Sequence, residues 1–471
     1  MPLSRIPAAL TLETRDGTDT KDALIVNAYI EQLPSTKAIS VTKRAGLVTS
    51  DTFTAGTGQG IYSYNSNLWA VIGGTLYSFP PGGTHTTVGS LVGGTGVPVS
   101  FSNTNNNAYL FLHNGTNGYT VTSGGTFASI TSAGFPPNNG YSAGAICPGA
   151  ASLDTYIFIM TTDAKIWMSN SNDPTTWNAL NYISAEIDSD AGVAIARQLN
   201  YIVAFKQYNV EFFYDAVNQT GSVLSPNTSA TIKSGCANGN SVVSLEGTII
   251  WIAQGKETGK SVMLLDGITP GTISTPAVER ILETDALTNV RAYAYRQGGH
   301  TFYILSLPDS NVTLVYDINM KTWYTWSSVV SSVEGYFNQT FGCSYNNKEY
   351  VLNATSGVVS YFSRTTYQDN GNPINVQGRT PLLDSDNNLK KFYRGCRYIG
   401  DRTTVTSNLS LRHTDDDYNT WSSYYTLDIS TNNPTAWSLG SSRRRAFDWL
   451  YTDNYPFRIQ ALELEFSQGI N

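Results

Sequence analysis

The sequence predicts an all-β protein: an irregular β-propeller-like body with an N-terminal arm and a C-terminal β-sandwich domain. Three observations predict it. Short apolar runs alternate with Gly- or Asn-rich turns from about residue 52 to 365. Charged residues are only 14% of the 471, well below the roughly 25% of an average domain, and Gly, Ser, Thr and Asn fill the deficit. Aromatics reach 12%, with 29 Tyr and 9 Trp; with Val, Ile and Thr they favour strands joined by tight turns. The length fits two or three domains.

Residues 1–50 read as an arm. Ala23 to Ile30 is a short strand-like run in which Leu24, Val26 and Ala28 share a face. Ala38 to Thr42 is another, ending at Lys43-Arg44-Ala45-Gly46-Leu47. An arm this short cannot bury a core of its own, so it has to lie on the main body or on a neighbour.

The body, 51–365, repeats one theme without repeating one sequence. Leu68–Ile72 and Thr75–Phe79 flank Gly73-Gly74, after an earlier turn at Asn65-Ser66-Asn67. The figure recurs at Ala108–Leu112 with Gly118–Val121, at Tyr156–Met160 with Lys165–Met168, and at Tyr201–Phe205 with Val210–Tyr214. It continues at Thr248–Ile252 with Ser261–Leu265, at Thr301–Leu305 with Thr313–Tyr316, and at Lys348–Leu352 with Val358–Phe362. Strand–turn–strand units without helical crossovers exclude a parallel α/β sheet. Radial repetition protects the edges of many short antiparallel strands, which favours a propeller over a stack of sandwiches. One short helix is predicted between strands, with Thr275 as N-cap, Pro276 at the first position, and Val278, Ile281 and Leu282 on one face. Residues 366–378 read as a linker. Residues 379–471 carry longer alternating runs, such as Leu409, Leu411 and His413, and read as a β-sandwich.

Charge bounds the function. Residues 379–471 hold 11 basic and 11 acidic residues; residues 1–378 hold 18 and 25 and so carry the whole net charge of −7. Such a chain is no general nucleic-acid binder. Arg443, Arg444 and Arg445 form the nearest thing to a basic patch and read as a solvated face or a subunit contact, since a lone triplet offers few phosphate contacts. Cys147, Cys236, Cys343 and Cys396 form no CxxC pair and fit no zinc ribbon, so they read as reduced, mostly buried thiols. No apolar core follows Arg5 and Pro7, so no signal peptide is expected, and no stretch approaches 18 apolar residues.

Catalytic signatures are scarce. His85, His113, His300 and His413 are too far apart in sequence to suggest a metal face, and His300 reads as a hydrogen-bonded structural residue rather than a base. The most enzyme-like stretch is His413-Thr414-Asp415-Asp416-Asp417-Tyr418-Asn419-Thr420-Trp421. It resembles the Asp-box of sialidases, with Tyr418 where a Gly is expected; Ser171 to Trp177 is a weaker echo. Both are expected to be hairpin turns in which the Asp accepts backbone N–H bonds and the Trp buries beneath. Asp415, Asp416 and Asp417 read as a solvated acidic turn in preference to a calcium site. No acid/base pair of the kind glycoside hydrolysis needs is identifiable. No enzyme activity, cofactor or metal is expected.

A resemblance sharpens the reading. Ile273-Ser274-Thr275-Pro276, Val278-Glu279, Gly299-His300, Phe302 to Leu305, Thr313 to Asp317, Trp323 and Trp326 follow one another in a recognisable order. Upstream stand Ile202 to Phe205, Val210 to Tyr214, Asn27-Ala28-Tyr29 and Lys43 to Leu47. The chain resembles the packaged-DNA stabilisation, or tail-accessory, family of short-tailed bacteriophages. Where that family often has Arg-Pro-Gly after the arm, this chain has Arg44-Ala45-Gly46. The resemblance implies a virion structural protein: a homo-oligomer, a hexamer by expectation, forming a tail nozzle beneath the portal–adaptor rings. It implies retention of packaged DNA, a path for genome ejection, and contact with a tail needle, fibre or spike. DNA is then met without sequence-specific binding, and the localisation is the virion tail, assembled in the host cytoplasm. An acidic wall suits sliding DNA because fixed basic patches hold phosphates. The arm and residues 379–471, with Leu24, Val26, Arg443, Arg444 and Arg445, are the expected subunit contacts. The alternative is a carbohydrate-active or receptor-binding propeller; a bacterial surface-binding module is the third reading.

Overall fold

The computed structural model describes all residues except 1–2, 10, 14–21, 33–37, 54–55, 81–82, 143, 246, 385–386 and 470–471. Six antiparallel sheets follow one another along the chain at 58–90, 100–129, 151–184, 192–226, 235–272 and 291–330. A seventh combines both ends of the body: Gln339–Tyr345, Lys348–Asn353 and Val358–Ser363 are completed by Gly46–Thr52, with Val359 opposite Asp51 and Phe362 opposite Leu47. The ring is therefore closed by a strand from the start of the chain, which completes the last blade and leaves only short blade edges. Each of the seven predicted hairpins forms the second and third strands of one blade.

The second strand of each blade explains the fold. It is buried on both faces, and its alternate residues go to opposite neighbours. Trp69 and Val71 pack toward the second blade, whereas Leu68, Ala70 and Ile72 pack toward the closing one. Ile202 and Ala204 join the core shared with the third blade, Val203 and Phe205 that shared with the fifth. Ile249, Trp251 and Ala253 split from Ile250 and Ile252 in the same way. Runs that look continuously apolar in sequence are thus period-2 strands with two apolar partners. The turns between them need left-handed backbone, which Asn65 (φ 47°), Ser66 (φ 57°) and the Gly73-Gly74 pair supply. The predicted helix is Pro276–Thr284, with Val278 and Leu282 fully buried.

The arm and the 366–378 stretch are built into the sheets of the body and the sandwich. Leu3–Pro7, Ala28–Gln32 and Ile39–Lys43 join Arg458–Gln468, Lys391–Gly400, Thr435–Trp437 and Ser441–Ser442 in one sheet of the C-terminal sandwich. The opposing sheet holds Val376–Arg379, Ala446–Tyr451, Asn408–Thr414 and Tyr425–Asp428. Leu24–Val26 lies between that sheet and the sixth blade, antiparallel to Val376–Arg379 and parallel to Thr322–Val330, making one continuous ten-stranded sheet. Ile25 is fully buried, while Leu24 and Val26 are half-buried. The arm thus lies on its own chain. The stretch 366–378 is also bonded in: Gln368–Asp369 pairs parallel to Gly46–Thr52 and turns through Asn370-Gly371 into Asn372–Pro373. One hydrophobic cluster runs from Tyr295, Phe302, Trp326 and Phe362 in the propeller to Trp449, Tyr451, Ile459 and Leu462 in the sandwich.

Candidate functional site

The densest polar constellation sits where the chain leaves the sandwich for the closing blade. Arg44 follows strand Ile39–Lys43 and is completely buried. Its Nη1 and Nη2 hold Asp369 Oδ1 and Oδ2 at 2.9 and 2.5 Å. Nε donates to Asn27 Oδ1 at 3.0 Å, Nη1 to the Ala45 carbonyl and Nη2 to the Ser327 carbonyl, each at 3.1 Å. All five guanidinium donors are therefore used, and Phe337 and Trp326 cover the group at 4.7 and 5.4 Å. A desolvated arginine persists only when paired and bonded in this way. Beside it, Lys43 donates to the Asp453 carbonyl at 2.9 Å; burial first, and Arg44 second, push its amine down to about 7. With all five Arg44 donors satisfied, the cluster is a joint between arm, body and sandwich. Sequence showed Lys43 to Leu47 as a marker, but not its partner 325 residues away.

The expected contact residues separate. Arg443 and Arg444 are exposed. Arg445 is buried: it forks onto Asp415 through Nε and Nη2, both at 2.7 Å, and lies over Tyr393 at 4.3 Å. The triplet is therefore not one basic patch: Arg443 and Arg444 lie in an exposed bend, and Arg445 turns inward where the chain begins to pair, opposite Leu383. The same pair occupies Asp415. Asp416 accepts from the Thr420 N–H at 2.9 Å and from the Thr414 and Thr420 hydroxyls, which hold its carboxyl down at about 2. The Asp-box-like stretch is thus a hairpin turn held by its Asp, as expected. Asp417 and Tyr418 take left-handed backbone (φ 61° and 64°) where a Gly was expected; burial of Tyr418 and its bond to the Thr380 carbonyl at 3.0 Å offset that strain. Trp421 is half-buried rather than buried. In the weaker echo Asp173 accepts from the Thr175 N–H and Trp177 is buried. No group of three or more metal-ligating side chains occurs among the described residues.

Three histidines are held as structural groups, and His85 Nδ1 meets Asp51 at 2.5 Å among the rings of Phe53, Tyr77 and Phe79. His300 Nδ1 meets the buried Asp317 at 2.6 Å, and that bond raises its pKa. His113 is enclosed against the Gly149 carbonyl and burial lowers it to about 4; His413 falls as far, through burial and Arg445. Cys147, Cys236 and Cys396 are buried, Cys343 is half-buried, and burial raises all four thiols, so none is activated. Lys206, invisible as a motif, is fully buried and held by Glu211 at 3.0 Å, Asp190 at 2.9 Å and the carbonyls of Ala185 and Asp188.

The sequence profile of the family described as Bacteriophage P22 Gp10, beta-propeller, matches residues 5–367. The chain belongs to this family. Its coarse role follows: a bacteriophage structural protein, a virion component with a propeller body. No curated protein matches in sequence. Among solved structures, a streptogramin B lyase is similar at 10% identity and TM-score 0.44, over 68% of this chain and 98% of that one. The Neurospora crassa Pan2 WD40 domain shares 11% identity at TM-score 0.43, over 69% and 95%. BamB from Moraxella catarrhalis shares 15% at TM-score 0.40, over 77% and 100%. Likenesses this distant carry no argument here.

A cavity of about 790 Å³ among the innermost strands is lined by Arg197 and Arg291 beside Tyr62, Phe101 and Phe341. That volume suits a small molecule.

Proposed function

We propose that this protein forms the ring-shaped tail nozzle of a short-tailed phage, a homo-oligomer of sixfold symmetry below the portal–adaptor rings. It retains packaged DNA and forms the conduit for ejection, and further out it meets a needle, fibre or spike. The observation that carries the reading is the family match over residues 5–367. Two features support it. A conduit can be built from several copies around an axis, and closed rings are how identical copies satisfy their interfaces. The bonded joint of arm, propeller and sandwich makes each copy a rigid block. We place subunit contacts on the exposed faces of the arm and sandwich, including Arg443 and Arg444, with Leu24 and Val26 supporting that surface from beneath. The protein does no chemistry in this role.

Negative-stain microscopy of the purified protein and of tails tests the assembly. Rings are expected; a strict monomer that is also absent from tails overturns it. Arg443→Glu combined with Arg444→Glu should weaken ring formation on size exclusion with light scattering while leaving the melting temperature unchanged, because exposed charges contribute little to folding. Unaltered assembly places the contacts elsewhere. Release of sugars from host polysaccharide, abolished by one carboxylate substitution, would show an enzyme instead.

A further inference from the structure

The outer face of the sandwich carries one polar row that the proposed role does not use. Strand register places Arg379 and Arg412 on either side of Asp448, and Tyr424 one position before Tyr425, which pairs with Leu411. Asp448 is completely buried; its Oδ2 accepts from Arg412 Nε at 2.8 Å and its Oδ1 from Arg379 Nε at 3.3 Å and from Gln377 at 2.6 Å. Two guanidiniums meet one carboxylate.

Arg412 is the open member. Trp421 and Tyr424 stand over its guanidinium at 4.7 and 4.8 Å. Nε is its one hydrogen-bonding atom among the described residues, and the side chain keeps 24% exposure. Its two terminal nitrogens therefore form a fork that is free, flat and fixed: Asp448 holds its base and two aromatic rings hold its plane. The turn built on Asp416 sets Trp421 in place through Thr420, and Tyr424 remains 45% exposed. Preorganisation of this kind removes the ordering cost of binding.

We infer that Arg412, Trp421 and Tyr424 form a binding site for a carboxylate-bearing saccharide, a uronate. A planar fork matches the two oxygens of a carboxylate. The aromatic ring beside the fork adds an apolar contact that an inorganic phosphate cannot use. The exposed ring of Tyr424 offers an apolar face to the C–H side of a pyranose, as aromatic platforms with one wet end do.

The test is calorimetric titration of the full-length protein with D-glucuronate, D-glucose and inorganic phosphate, at concentrations on the order of 10 mM for a weak site. Glucuronate should bind and the other two should not. Arg412→Gln should weaken glucuronate about tenfold or more, the scale of a lost charge-assisted bond. Arg412→Lys, which keeps the charge and a bond to Asp448 but loses the fork, should weaken it less. Tyr424→Ala should weaken glucuronate while leaving the melting temperature unchanged. Absence of glucuronate binding, equal binding of glucose or phosphate, or wild-type affinity in both Arg412 variants overturns the site. Melting curves identify a variant that fails to fold, and Tyr424→Ala then decides alone.

Discussion

Asp369 is the residue on which the joint depends. Replacing it with Ala leaves the Arg44 guanidinium buried without its counter-ion, in a pocket closed by Phe337 and Trp326. Breaking one side of such a pair costs about 3–5 kcal/mol. We expect Asp369→Ala to lower the unfolding free energy by that amount, seen as a lower urea midpoint at unchanged slope; a loss below about 1 kcal/mol would show that water reaches the pair. His300 behaves differently. Its folded pKa is raised by Asp317, so its contribution is fully present below the ordinary value near 6.5 and is lost as pH rises through the raised one. His300→Gln should therefore destabilise more at pH 5.5 than at pH 8.5; equal losses at both would remove the linkage. Neither role was legible in the sequence beyond a structural His300, because each depends on a partner fixed by register. Arg445 shows the same limit: next to Arg443 and Arg444 it reads as surface, yet its pairing with Leu383, some sixty residues earlier, holds it inward against Asp415.

At the scale of elements, the hairpins and the helix were legible because their signals are local. Gly73-Gly74 and Asn65-Ser66 announce turns, and Thr275-Pro276 announces a helix start. The arm was not legible: Leu24–Val26 finds its partners at Gln377 and Thr325, and nothing local encodes a pairing across some three hundred residues. Gly46 is where this long-range packing is tightest. A Cβ there would stand 2.4 Å from the Gln368 carbonyl oxygen and 2.6 Å from that of Thr366. Gly46→Ala must separate Gly46–Thr52 from Gln368–Asp369. We expect a cost of about 1–3 kcal/mol, as for overpacking elsewhere, and faster amide exchange at Asn370, whose N–H bonds to the Leu47 carbonyl. Wild-type exchange at that amide would show that the two strands part without loss.

Across the whole molecule, the division into arm, body, linker and sandwich follows the sequence but not the cooperative unit. The arm supplies strands to both sandwich sheets and to the closing blade. The Trp449 indole donates to the Ala8 carbonyl at 2.8 Å, the Leu12 N–H donates to the Trp323 carbonyl at 3.2 Å, and Ala8, Ala9 and Leu12 are buried. Removing residues 1–22 therefore uncovers core on both the sandwich and the sixth blade, and it should lower the melting temperature as well as impair assembly. The stronger consequence concerns unfolding. Domains joined by a mobile linker melt separately, whereas elements that share a core and a sheet melt together. Here the sandwich cannot open without exposing Ile25, Trp326 and Phe362, which belong to the same buried cluster, and without breaking the Arg44–Asp369 joint. We expect calorimetry of the full-length protein to show one transition in which near-ultraviolet signals from both halves disappear at the same temperature. A residues 379–471 fragment, deprived of the arm strands that flank Arg458–Gln468, should lack a cooperative transition. Two separate transitions in the intact chain, or a folded fragment, would restore the independent C-terminal domain that the sequence alone implies.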